Sequence, residues 1–255
     1  MKIEVVTLFP EMIAGALRFG VVGRALTRGV LALGTEDPRD HTDDPHRTVD
    51  DRPYGGGPGM VLKPEPMLAA IRAAAARLPA GSPRVCLSAQ GERFTQADAR
   101  AFAERPGLLL VAGRYEGMDE RVIALGIERE LSVGDYVLSG GELPALTVID
   151  AVGRLLPGVL GDERSSACDS FSDGLLDWPH YTRPEVFEGL EVPKVLLSGN
   201  HADIDRWRLT QAVVRTWRRR PDLILGRALS PEAQRLLNEF LAAHAAAEAD
   251  RGSNT

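Results

Sequence analysis

Apolar residues fall into short blocks along the first 160 positions, and the blocks alternate in kind. Residues 3–9 are apolar except for Glu4 and Thr7, which predicts a strand ended by Pro10. Residues 10–18 read as helical, with the proline suited to a first turn. An alanine-rich helix is predicted over 64–78, a strand over 84–88 and a helix over 96–104. The unbroken run Leu108-Leu109-Leu110-Val111-Ala112 is expected of a strand buried on both faces. A short helix over 119–125, a strand over 136–138 and a longer helix over 143–156 complete the series. This alternation predicts an α/β fold, a mostly parallel sheet with helices on its faces.

The pattern changes after Gly161. Residues 161–174 are small and polar, with little to bury. Helical patterns follow over 201–219, ended by Pro221, and over 231–248. The predicted organisation is an α/β domain over 1–160, a flexible linker over 161–175 and a smaller all-helical domain over 176–255. The tail from Ala249 is expected to fray.

Composition narrows the function classes. Of 255 residues, 44% are hydrophobic and 26% charged, an ordinary globular balance. No run approaches the roughly 18–20 apolar residues of a membrane span, so no membrane partner is expected. Two cysteines, Cys86 and Cys168, with no C-x-x-C, argue against a disulfide scaffold and point to the cytoplasm. The net charge of −6 argues against indiscriminate coating of nucleic acid. Yet residues 206–220 hold six arginines and no acid. Arg208, Arg215 and Arg219 share one helical face. That face suits phosphate contacts or simple solvation, and the spacing does not choose between them.

Candidate chemistry lies where strands end. The chain has neither G-x-G-x-x-G after a strand nor a Walker loop. Instead, Ser132-Val133-Gly134-Asp135-Tyr136-Val137-Leu138-Ser139-Gly140-Gly141-Glu142-Leu143-Pro144 runs from a strand through a glycine turn into a helix. Such a turn lets a ligand lie against bare backbone. Gly113-Arg114-Tyr115-Glu116-Gly117 follows the apolar run, and Leu87-Ser88-Ala89 ends another strand. Ligands of open α/β sheets bind outside the carboxyl ends of strands, so these three loops are expected to converge. Residues 40–60 carry His41, His46 and several aspartates, but the spacing matches no metal motif and Arg47 and Arg52 intervene. Four glycines within 55–59 suit a mobile or backbone-binding loop. Asp169 reads either as a solvated surface carboxylate or as a general base ordered by substrate. His180 and His201 read as structural rather than metal-bound.

Together the segments resemble the bacterial tRNA (guanine-37-N1)-methyltransferases of the SPOUT class. The likeness rests on Thr48-Val49-Asp50-Asp51-Arg52-Pro53-Tyr54-Gly55-Gly56-Gly57-Pro58-Gly59-Met60, on the 113–117 and 134–144 blocks, on Pro179-His180-Tyr181-Thr182-Arg183-Pro184 and on Leu196-Leu197-Ser198-Gly199-Asn200-His201. It covers residues 1 to about 240. The family often has proline where this chain has Ala89. The resemblance implies a deep trefoil knot in the first domain, S-adenosylmethionine as methyl donor, and a homodimer with shared active sites. It implies a helical second domain gripping the tRNA anticodon arm, with no role for DNA. Donor-binding residues would be Leu87, Ser88, Gly113, Tyr115, Glu116, Ser132, Val133, Gly134, Asp135, Tyr136, Val137, Leu138, Gly140, Gly141 and Pro144. The general base would be Asp169, assisted by Arg154, and Arg208, Arg215, Arg219 and His201 would meet RNA. Members of the family use a divalent ion such as magnesium, for which no ligand set is visible here. The competing readings are another SPOUT enzyme acting on ribosomal RNA or a ribose 2′-oxygen, and a non-catalytic RNA-binding module.

Overall fold

The computed structural model describes residues 1–161 and 169–252, and the side chains of the last helix through residue 246. Residues 162–168, Cys168 among them, and the last three residues lie outside the described residues. The chain forms two compact units, Met1–Glu163 and Arg164–Thr255.

The first unit runs β1 (Lys2–Val6), α1 (Pro10–Ala16), α2 (Gly20–Thr27), β2 (Ala32–Glu36), β3 (Asp50–Asp51), β4 (Val61–Leu62), α3 (Pro64–Ala76), β5 (Arg84–Arg93), α4 (Gln96–Ala103), β6 (Gly107–Ala112), α5 (Glu120–Gly126), β7 (Arg129–Ser132) and α6 (Glu142–Gly153). Five strands form one parallel sheet in the order β2-β1-β6-β5-β7. The register pairs Val6 with Val111, and Leu87 with both Ala112 and Leu131. The carboxyl ends of four strands therefore lie level along one edge.

Two apolar layers sandwich the sheet. Ile3, Leu108 and Leu110 face Ile13, Val22, Val148 and Ile149 of α1, α2 and α6. Leu109 and Val111 face Met67, Ile71 and Ala74 of α3 and Val122 of α5. Alternate residues of β6 thus enter opposite layers, as strand geometry requires. All six residues of β6 are buried, and each of its leucines contributes about 1.5–3 kcal/mol on burial.

Several sequence expectations need correction. Residues 136–138 form no strand. Tyr136, Val137 and Leu138 are 57%, 87% and 38% exposed, so their strand propensity gains nothing from burial. The strand lies earlier, as β7, where Arg129 pairs with Glu92 at 2.9 Å and with Asp98 at 3.1 Å. Strand β5 extends to Arg93 through a register shift between Leu87 and Glu92. Gly91 permits it, because a Cβ there would overlap the Leu131 amide. Neither α2 nor β2 was expected.

The second unit holds β8 (Val186–Phe187), β9 (Leu190–Glu191), α7 (Lys194–Leu197), α8 (His201–Arg219) and α9 (Pro231–Gly252). Strands β8 and β9 make an antiparallel hairpin, so the unit is not all-helical. Its turn uses Glu188 at φ 51 and Gly189 at φ 81, the two positive values that tight hairpins demand. The core joins Leu175, Ala212, Val213, Ala233 and Leu237. Thr216 is fully buried, donates to the Ala212 carbonyl at 2.6 Å and accepts the Leu176 N–H at 2.8 Å. Among the described residues, no helix is long and apolar enough to cross a membrane.

Candidate functional site

The strand ends open into a cavity of about 340 Å³, bounded by the loops after β6 and β7 and, on the third side, by the irregular stretch 86–90 inside β5. Leu87-Ser88-Ala89 therefore does not end its strand, contrary to the sequence expectation. This is the crevice position where open parallel sheets take ligands. Leu87, Ser88, Gly113, Tyr115, Glu116, Ser132, Val133, Gly134, Tyr136, Val137, Leu138, Gly140, Gly141 and Pro144 all line it. Asp135 does not. Its side chain is 86% exposed and pairs with Arg93 at 2.7 Å, outside the cavity.

The back wall is backbone. Gly141 donates its N–H to the Gly113 carbonyl at 2.9 Å. A Cβ at Gly141 would come within 2.6 Å of Ala112 Cα. Only glycine lets the loop after β7 close this tightly on β6. Ser132 shapes the loop's entry, its hydroxyl donating to the Gly134 carbonyl at 3.0 Å and accepting the Gly134 N–H at 3.2 Å. Tyr115 projects at φ 60 and is 55% exposed. Non-glycine residues at positive φ are strained, and such strain concentrates at functional sites.

A buried ionic group braces the same loop. Glu142 opens α6 and is 1% exposed. It accepts from Thr7 Oγ1 at 2.8 Å and from Arg114 Nε at 2.9 Å. Arg114 also donates to the Ser139 carbonyl at 3.1 Å and stacks over Phe9 at 4.5 Å. One guanidinium, just past β6, therefore ties Phe9 before α1, the 133–141 loop and α6 together.

The cavity carries acid rather than base. Glu116, Glu120 and Glu130 line it, and its one cationic lining residue among the described residues is Arg114. Leu87, Ile123, Val137 and Leu138 add apolar wall. Such a lining fits a flat apolar group joined to a positive charge. Among the described residues, no cluster of three or more His, Cys, Asp or Glu could hold a metal ion.

Arg154 sits elsewhere. It caps the carboxyl end of α6, whose amino end touches the cavity. Twelve helical residues separate the two ends, about 18 Å along the axis. Arg154 does not line the cavity of its own chain.

The second unit holds the remaining predicted residues. Asp169 is half-buried, and its backbone carbonyl accepts the Ser172 N–H at 3.0 Å. Arg208 lies over Trp178 at 5.2 Å and pairs with Asp205 at 3.3 Å. Arg215 and Arg219 follow on α8, the latter exposed. His201 is the exposed first residue of α8.

A sequence profile of the tRNA (Guanine-1)-methyltransferase TrmD family matches residues 1–226. The chain belongs to this family. A Methylococcus capsulatus protein named tRNA (guanine-N(1)-)-methyltransferase is 61% identical over 240 residues, covering 94% of this chain and 96% of its own. Proteins of that name from Salmonella schwarzengrund and Escherichia coli are 58% and 57% identical over 245 residues, covering 96% of both chains in each case.

Within this TrmD-family chain, sequence reasoning missed several cavity residues. Cys86, Gln90, Met118, Glu120, Ile123, Glu130 and Leu131 are among the further lining residues. Cys86 and Gln90 come from β5, Glu130 and Leu131 from β7, and Met118, Glu120 and Ile123 from the turn into α5 and from α5 itself, placements no motif shows. The thiol of Cys86 is pushed up to about 12 by burial and, secondarily, by the charge of Glu130. It is inert at neutral pH.

Proposed function

We propose that this protein transfers a methyl group from S-adenosylmethionine to N1 of guanine 37, beside the anticodon of tRNA. The observation that carries the reading is the convergence of the loops after β6 and β7 and the shifted stretch of β5 on one acidic, glycine-walled cavity in a chain of this family. The glycine wall leaves room that a Cβ would fill, and Glu116 offers a carboxylate for the donor's cationic end. When bound there, the donor supplies a methyl group already activated by positive sulfur.

This chain's residues supply the proton chemistry. Guanine N1 carries a proton at neutral pH and is then a poor nucleophile. Asp169 accepts that proton as N1 becomes nucleophilic. Negative charge grows on guanine O6, and the Arg154 guanidinium stabilises it. Positioning does much of the remaining work. Among the described residues there is no ligand set for magnesium.

Two finer features belong to the same reading. A trefoil knot is supported by the loop after β7, which passes β5 to bond Gly113 just beyond β6 before entering α6. A homodimer is supported by Arg154, which lies a helix length from its own cavity and so would serve the partner's. Exposed Phe9, Met12, Phe19 and Leu143 provide apolar surface for such pairing. The second unit would hold the anticodon arm through α8, and the work would take place in the cytoplasm.

The test is methyl transfer to unmodified tRNA transcripts, one with guanine 37 replaced. Product on the first and none on the second supports the reading. Methylation of a ribose or of ribosomal RNA would overturn it. Asp169→Asn should slow single-turnover transfer by about 10²-fold or more.

A further inference from the structure

We propose that Gly59, in the glycine-rich loop before β4, is a positioning residue that holds the Glu116 carboxylate at the cavity. The inference rests on the donor reading above and extends it to a residue outside the cavity lining. Gly59 sits at φ +80, and a Cβ there would overlap Glu116 Cγ and Oε1 and approach its Cδ to 2.8 Å. The neighbouring residue fixes the backbone: Glu116 donates its N–H to the Met60 carbonyl at 3.0 Å. Leu62 N–H in turn bonds the Gly117 carbonyl at 3.0 Å, and Asp119 N–H bonds Leu62 at 3.0 Å. The base of the glycine loop is thus laced to the 116–119 turn, so Glu116 cannot shift its backbone to escape a new side chain. Only its rotamer can give way, and that carries the carboxylate off the cavity.

The other loop glycines show why Gly59 differs. Gly55, Gly56 and Gly57 also have positive φ, but a Cβ on any of them meets nothing within 4 Å. Their glycines serve the turn alone. At Gly59 the absent side chain is also the space that the carboxylate occupies.

Gly81 provides the control for backbone strain, with φ +81 and open space around its missing Cβ, in the turn before β5. Donor affinity is measured by calorimetry with S-adenosylmethionine on full-length Gly59→Ala, Gly81→Ala, Glu116→Ala and the Gly59→Ala/Glu116→Ala double variant. Thermal melts accompany each to match strain. Gly59→Ala should weaken binding about tenfold, and Gly81→Ala less than about twofold, at similar loss of melting temperature. In the Glu116→Ala background, adding Gly59→Ala should change affinity by less than about twofold, because the colliding atoms are gone. Equal effects of Gly59→Ala in both backgrounds, or unchanged donor affinity in Gly59→Ala, would overturn the inference alone. Absence of donor binding by the unaltered protein would overturn the donor reading, and this inference with it.

Discussion

Arg114 Nε donates to Glu142 Oε2 at 2.9 Å, and the carboxylate it meets is 1% exposed. The pair joins the end of β6 to the first turn of α6. Removing the cation leaves a buried charge with only Thr7 for company. Arg114→Ala should cost about 3 kcal/mol or more in denaturant unfolding. Adding Glu142→Gln should recover part of the loss, because no charge remains to be stranded. A double variant no more stable than Arg114→Ala would contradict this account.

The acid side of the stability profile should depend on Glu36. Burial raises its carboxyl, but hydrogen bonds from His41 and Arg77 and their charges outweigh burial, and the net shift is downward from 4.5. Arg77 Nη1 lies 2.6 Å from Glu36 while its Nη2 lies 2.6 Å from Glu4, linking β1, β2 and α3. A depressed carboxyl favours the folded state above its ordinary value and loses that contribution as pH falls through the folded one. Stability should therefore drop below about pH 4.5. Glu36→Gln should flatten this limb in melts run from pH 6 to about 3, and an unchanged slope would exclude the role.

Cys86 should resist alkylation although it lines the cavity. With its thiol near 12, the thiolate fraction at pH 8 is small. Labelling at Cys86, followed by peptide mass spectrometry, should run about 100-fold or more below a free thiol. Glu130→Gln should speed it. Labelling at the free-thiol rate would show that the site opens to solvent.

The proposed sharing of sites gives a mixing experiment. Arg154→Ala and Gly141→Val should each be inactive, the second because its side chain collides with Ala112. Unfolded together and refolded, they should recover about a quarter of normal activity, from mixed pairs with one intact site. No recovery would mean that each chain works within itself.

The arginines of α8 should act through salt-dependent contacts. Arg208 is partly engaged by Trp178 and Asp205, while no ion pair joins Arg215 or Arg219 to a described residue. Arg215→Ala with Arg219→Ala should weaken tRNA binding and lower the slope of log affinity against log salt by about one to two. An unchanged slope would assign the pair to solvation.

What the sequence disclosed follows burial. The run 108–112 announced β6 because a strand covered on both faces must be apolar throughout. The helices at 10, 64 and 201 began where proline or a polar-to-apolar change marked them. Strand β7 escaped notice because Arg-Glu-Leu-Ser at a sheet edge has charges that pair sideways with Glu92 and Asp98. Strand β2, Ala-Leu-Gly-Thr-Glu, is half-exposed and broken by Gly34, where a Cβ would strike Glu4. The cavity's glycine loops were legible as motifs. The position of Arg154 was not, because helix length becomes distance only once the helix has a direction.

Glu142 has one more consequence. The amino end of a helix ordinarily attracts anions, and α6 begins at the cavity wall. Here the first turn already carries a buried carboxylate, Glu142, held by Thr7 and Arg114. Adenine nucleotides share the adenosine half of the proposed donor but carry polyphosphate. The cavity meets them with fixed negative charge from Glu116, Glu120 and Glu130, and the nearest helix end already carries Glu142. Discrimination against ATP would then be electrostatic, built in by the fold before any steric filter acts.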